Sequence, residues 1–118
     1  MKSWIESHLK YGKRILKKPV LLAEFGKSSN DPGFDISQRN ELFGVIYKHM
    51  YASARWGGAS GGAMFWQLMA EGMDSSGDGY EIVLSQNPST TSIISAQSHK
   101  LGELTHLLTK LYETGGRD

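Results

Sequence analysis

Apolar positions along the chain switch between helical and extended periods, and the switches predict the order α-β-α-β-α. Over residues 3–17, Trp4, Ile5, Leu9, Ile15 and Leu16 recur at near-helical spacing. Lys13, Lys17 and Lys18 crowd the end of that stretch, where cations suit the helix dipole. Gly12 sits inside the pattern and weakens it. Residues 19–25 then form a nearly continuous apolar run, Val20, Leu21, Leu22, Ala23 and Phe25, as in a parallel strand buried on both faces. Pro19 fits the first position of such a strand. A polar loop, Gly26–Gly33, follows, dense in turn residues.

A second helix is predicted from about 37 to 54. Asp35 or Ser37 can cap it, Gln38 stands in capping-box register with Asp35, and Leu42, Phe43, Val45, Ile46 and Met50 form its buried stripe. The glycine-rich run 56–62 reads as a flexible connection. Residues 63–68 read as a short aromatic strand. Residues 69–91 look irregular, with an extended piece at Glu81–Leu84 and a break at Asn87-Pro88. The last helix is predicted from Thr91 to Tyr112, interrupted near Gly102 and closed by Gly115-Gly116. Its Leu101, Leu104, Leu108 and Leu111 alternate three and four apart. Too few turns carry that spacing for a coiled coil, so a helix packed on a sheet is expected.

Strand, helix and second parallel strand make one βαβ unit. Strict alternation would group Val20, Leu22 and Glu24 on one face of the first strand, opposite Leu21, Ala23 and Phe25. In the second strand it groups Met64, Trp66 and Leu68. Glu24 is the one charged residue in the apolar run, and it ends the run where parallel α/β folds build their sites. A buried carboxylate must be paired, neutralised or used. Beside Trp66 it could serve sugar chemistry, the carboxylate acting on an oxocarbenium-like centre and the indole stacking on sugar C–H groups. The alternatives are a cap or salt-bridge role for Glu24 and a core role for Trp66.

The 118 residues suit one domain, and a net charge of +1 gives no reason to propose nucleic acid or membrane as partner. With no cysteine there is neither a disulfide framework nor a thiolate metal site, and no apolar run approaches the ~18 residues of a membrane span. The N-terminal residues lack the apolar core of a secretory signal, so the chain as written is expected to stay in the cytosol.

Other motifs read more plainly. Asp74 and Asp78 miss the spacing of a calcium loop, which leaves a solvated turn. Glu71 reads as a surface carboxylate or a groove residue. His8, His49, His99 and His106 lack ligand spacing, and no metal or cofactor is expected. The paired glycines at 57–58 and 61–62 lack the Lys-Ser/Thr of a phosphate loop. Arg39 and Arg55 are expected on helix surfaces.

The run Leu16–Gly26, then Gly33-Phe-Asp-Ile-Ser-Gln-Arg39, then Phe65-Trp-Gln67, resembles the C-terminal part of plant endo-β-1,4-mannanases of glycoside hydrolase family five. Trp4–His8 and Asp78–Leu84 fit in the same order, and the resemblance covers about residues 2–112. It implies a (β/α)₈ TIM barrel that hydrolyses internal β-1,4-mannosidic bonds of mannan, galactomannan and glucomannan with retention. It implies Glu24 as catalytic nucleophile on the seventh strand and Trp66 as the sugar-subsite aromatic on the eighth.

Retention needs a second carboxyl group as acid/base about 5–5.5 Å away. In the family this is a Glu after an Asn on the fourth strand, but Asn40-Glu41 here falls in the predicted second helix. Residues 1–118 would then run from the sixth helix to the eighth, with two of eight strands. Val20, Leu22 and Met64 would have no barrel interior to fill, and both strands would keep an open edge. The expectation is a shortened reading frame, inactive alone, from an enzyme family secreted to the cell wall. A complementary barrel fragment is an expected partner beside β-mannan. A non-catalytic carbohydrate-binding or interaction module is the alternative, and an ordinary small α/β domain a third reading.

Overall fold

The computed structural model describes residues 1–115, apart from the side chain of Asp74. Helix α1 (Lys2–Tyr11) runs on through a π-helical turn at Gly12–Leu16 into strand β1 (Val20–Phe25). Helix α2 (Ile36–Arg55), strand β2 (Ser60–Phe65), a 3₁₀ turn at Asp74–Ser76 and helix α3 (Pro88–Gly115) complete the order. The two strands pair in parallel, with α2 as the crossover between them, so the chain is α/β as expected. The β1–β2 strand pairing and the helices therefore match the predicted alternation.

The facing of β1 does not match. Leu22 pairs with Ala63 and Phe25 with Phe65, so Ala23 and Glu24 together oppose the single residue Met64. This extra residue is a bulge, and each such slip flips every later side chain to the other face. Val20, Leu22 and Phe25 consequently all turn to the core, while Leu21, Ala23 and Glu24 are exposed. Strict alternation groups Glu24 with Val20 and Leu22, and the bulge overturns that grouping; Glu24 stays opposite Phe25, but it is Phe25 that now shares the core face with Val20 and Leu22. Val20 and Leu22 do have a core to fill, and Leu21 stands open with Met64 instead.

That core forms between the sheet and α2. Phe43, Ile46, Tyr47 and Met50 of α2 meet Ile5 and Leu9 of α1 and Ile82 from the long loop. Phe25, Phe43 and Tyr47 form an aromatic triangle with edge-on contacts at 4.8, 5.6 and 5.9 Å between centroids. Leu42 and Val45 are only half-buried, and Tyr47 joins the stripe instead. Asp35 caps α2, accepting from the Ser37 N–H at 2.6 Å. Gln38 does not complete a capping box, because its side chain turns to the Gly33 carbonyl. On α1 only Ile5 and Leu9 are buried, while Trp4, Ile15 and Leu16 stand in solvent. Gly12 is buried where a Cβ would run into the Val20 side chain, so a glycine is what lets this turn lie close on β1.

Three boundaries differ from expectation. Strand β2 starts at Ser60, inside the glycine run, since the Ala59 carbonyl and Ser60 already pair with Val20. Residues 69–91 are irregular but not loose: Ile82 bridges to Leu68 in parallel register and, like Val83, is buried. Pro88 opens α3 instead of breaking it, because the first helical position needs no N–H. Helix α3 then continues unbroken through Gly102, where nothing approaches the backbone. Gly116, the second half of the expected glycine stop, lies outside the described residues.

Ile93 and Ile94 hold the start of α3 on the core, but Leu107, Leu108 and Leu111 are exposed. The second half of this 28-residue helix projects, which gives the molecule its 58 Å long axis. The expected packing of α3 thus holds for its first half only.

Candidate functional site at the strand ends

Glu24 is the penultimate residue of β1, and it is exposed. Phe25 beside it turns to Phe43, so alternation directs Glu24 to the sheet face that α2 does not cover. Its side chain makes no hydrogen bond or salt bridge among the described residues, which removes the cap and ion-pair readings. Trp66 directly follows β2, and its N–H donates to the Phe25 carbonyl at 2.8 Å. Phe65 packs on Phe43, so Trp66 also faces away from α2, and it is 43% exposed. Met64 and Leu68 share that exposure. The structure therefore brings Glu24 and Trp66 to one end and one open face of the sheet. The core reading of Trp66 fails on its exposure.

A residue that sequence reasoning left in a solvated turn organises this corner. The carboxylate of Asp78 accepts from the Trp66 Nε1–H at 3.2 Å, the Gln67 side-chain amide at 3.4 Å and the Tyr80 N–H at 3.0 Å. These donors, the Tyr80 N–H first and then the Trp66 indole, hold its carboxyl below the usual carboxylate range. The carbonyl of Asp78 accepts from the Ser28 hydroxyl at 3.2 Å and the Asn30 side-chain amide at 3.1 Å. Beside it, the Ser29 N–H donates to the Gly79 carbonyl at 2.7 Å. Gly79 has φ +91°, and a side chain there would strike Ser28 and Asn30. The available signal was the Asp78-Gly-Tyr turn itself, 12 residues after Trp66.

Other candidates resolve structurally. Arg39 is buried, contrary to the surface role expected of it: its guanidinium donates to the Asn87 side chain and lies over the Phe34 ring. Burial lowers its pKa, and nearby Glu81 opposes that shift. Arg55 does stay on the surface, over the Trp56 ring. Asn40 of the Asn40-Glu41 pair ties α2 to α3 through Ser89 and Thr90, at 2.9 and 2.6 Å, so this pair serves the helix layer and not a strand end. Glu71 accepts from the Ser85 hydroxyl at the surface. Among the described residues no group of His, Asp and Glu has the geometry to hold a metal. No described helix is long and apolar enough to cross a membrane.

No family model matches the chain. Individual proteins do. Mannan endo-1,4-beta-mannosidase 5 of Solanum lycopersicum is 49% identical over 108 residues, 92% of this chain and 26% of that protein. Mannan endo-1,4-beta-mannosidase 1 of Oryza sativa subsp. japonica is 48% identical over 101 residues, 86% of this chain and 23% of that protein. Mannan endo-1,4-beta-mannosidase 7 of Arabidopsis thaliana is 46% identical, again over 86% of this chain. The chain spans about a quarter of the length of these curated relatives. Its sequence thus makes it a relative of the plant mannan endo-1,4-beta-mannosidases, which are glycoside hydrolases, over that quarter of their length.

Proposed function

We propose that the chain supplies the nucleophile-bearing strand ends of a retaining endo-β-1,4-mannanase barrel, acting on mannan, galactomannan or glucomannan. In this reading residues 1–118 correspond to the sixth through eighth helices of the barrel, and β1 and β2 are its seventh and eighth strands. The observation that carries it is the shared open face of Glu24 and Trp66, within a segment close to half identical to named mannosidases. Glu24 attacks the anomeric carbon as the glycosidic oxygen leaves, giving a glycosyl-enzyme ester that water then hydrolyses. Trp66 stacks on the mannosyl ring next to the cleaved bond.

The leaving oxygen needs a proton from a second carboxyl group about 5–5.5 Å from Glu24. Glu41, the one Glu in an Asn-Glu pair, is exposed on α2, in the helix layer. The chain alone is therefore proposed to bind mannan without hydrolysing it, the other barrel strands being the complementary partner of the open edges of β1 and β2. Secretion to the cell wall belongs to the same proposal for the whole enzyme.

Calorimetric titration with mannohexaose tests the binding half: the chain should bind, and Trp66→Ala should weaken it. Release of reducing ends from galactomannan by the chain alone would overturn the inactive half. A chimera of the Solanum lycopersicum relative carrying this chain as its matching quarter tests Glu24. The chimera should cleave galactomannan, and Glu24→Gln should abolish turnover while mannohexaose binding persists.

A further inference from the structure

We propose that Asp78 is a positioning residue whose carboxylate holds the Trp66 indole while its backbone carbonyl anchors the loop after Glu24, so that one turn sets both strand ends. The inference rests on the proposed sugar-stacking role of Trp66.

Trp66 is 43% exposed, so core packing does not fix its rotamer. The bond from its Nε1–H to a charged acceptor does, and that N–H projects from the edge of the ring. It occupies the ring edge and leaves the faces for stacking. The same carboxylate takes the Gln67 amide and the Tyr80 N–H, so its own direction is set from three sides. Behind it, the carbonyl binds Ser28 and Asn30, three and five residues beyond Phe25 in the loop leaving β1. Ser28 is itself buried, which makes that anchor rigid. The other charged groups of this corner are Glu24, exposed at the end of β1, Glu81, which accepts from the Gly79 N–H at 2.8 Å, and the Lys27–Asp31 pair at 2.8 Å. Among the described residues none of these forms a hydrogen bond or salt bridge with the Asp78 carboxylate, whose shift comes from its donors.

The test is a proton–nitrogen NMR titration of the 118-residue chain, following the indole N–H of each of its three tryptophans. Trp66→Phe assigns the Trp66 signal. That signal should shift as pH falls below the usual carboxylate value of 3.8, while those of Trp4 and Trp56 do not follow. Asp78→Asn, which keeps an oxygen acceptor and the shape of the side chain, should abolish the titration yet retain most mannohexaose affinity. Asp78→Ala should weaken mannohexaose about fivefold, the worth of one hydrogen bond. A Trp66 indole that titrates unchanged in Asp78→Asn overturns the inference. If the unaltered chain binds no mannohexaose, the sugar role of Trp66 falls, and the indole titration alone still decides whether Asp78 holds the ring.

Discussion

The ring of Phe25 meets that of Phe43 edge-on, with centroids 4.8 Å apart and planes at 64°. That contact fixes the end of β1: with Phe25 turned to α2, Glu24 has the opposite side. Phe43 is fully buried and also touches Tyr47 and Phe65. Phe43→Ala should therefore cost about 3–5 kcal/mol, a large share of the ~5–15 kcal/mol that holds a domain together. Leu111→Ala, on the projecting half of α3, should change stability by less than ~0.5 kcal/mol. Urea denaturation of both variants checks the contrast.

Gly26 links the two strand ends. A Cβ there would sit 2.6 Å from the Trp66 carbonyl oxygen and 2.8 Å from a Tyr80 ring carbon. Gly26→Ala should destabilise by about 1–3 kcal/mol, because a backbone oxygen cannot step aside as a flexible side chain can. It should also disturb the Trp66 indole resonance, which makes NMR the sharper readout beside thermal melting.

Stability should decline at both ends of the pH scale. Hydrogen bonds from Ser37 hold the Asp35 carboxyl below 3.8, and Asp78 is lowered by its own donors. Depressed carboxylates add stability that is present above 3.8 and lost as pH falls through their folded values. Burial pushes the Tyr47 hydroxyl up from 10.0 to about 12, so the unfolded chain ionises first and stability falls as pH rises from 10 towards 12. Melting temperatures should show a reduced acid limb in Asp35→Asn and a reduced alkaline limb in Tyr47→Phe.

Arg39 holds the loop before α3 to α2 through the Asn87 side chain. Arg39→Ala should cost about 1–3 kcal/mol by leaving Asn87 without that donor. Adding Asn87→Ala should cost less than its effect alone, since the two share one interaction. A double-mutant cycle in urea measures the difference.

The local patterns along the chain were enough for the helix–strand alternation, for Phe43, Ile46 and Met50 of the α2 stripe though not for Tyr47, for a cap at Asp35 or Ser37, and for the position of Glu24 and Trp66 near the strand ends. Each depends on neighbours within a turn or two, and periodicity carries that information. The resemblance through Leu16–Gly26, Gly33–Arg39 and Phe65–Gln67 reached the relatives, which local pattern alone could not. Tertiary contact decided the rest. The bulge at Ala23–Glu24 exists only in the pairing with β2, and together with the Phe25–Phe43 contact it sets Phe25 to the core and Glu24 to the open side. Arg39 looked like a surface cation because its partners, Asn87 and Phe34, come from two other segments. Asp78 looked like a turn residue because the Ser28 and Asn30 it binds lie 50 and 48 positions away. Side-chain chemistry can be read from a sequence, but long-range partners are chosen only when the strands and helices meet.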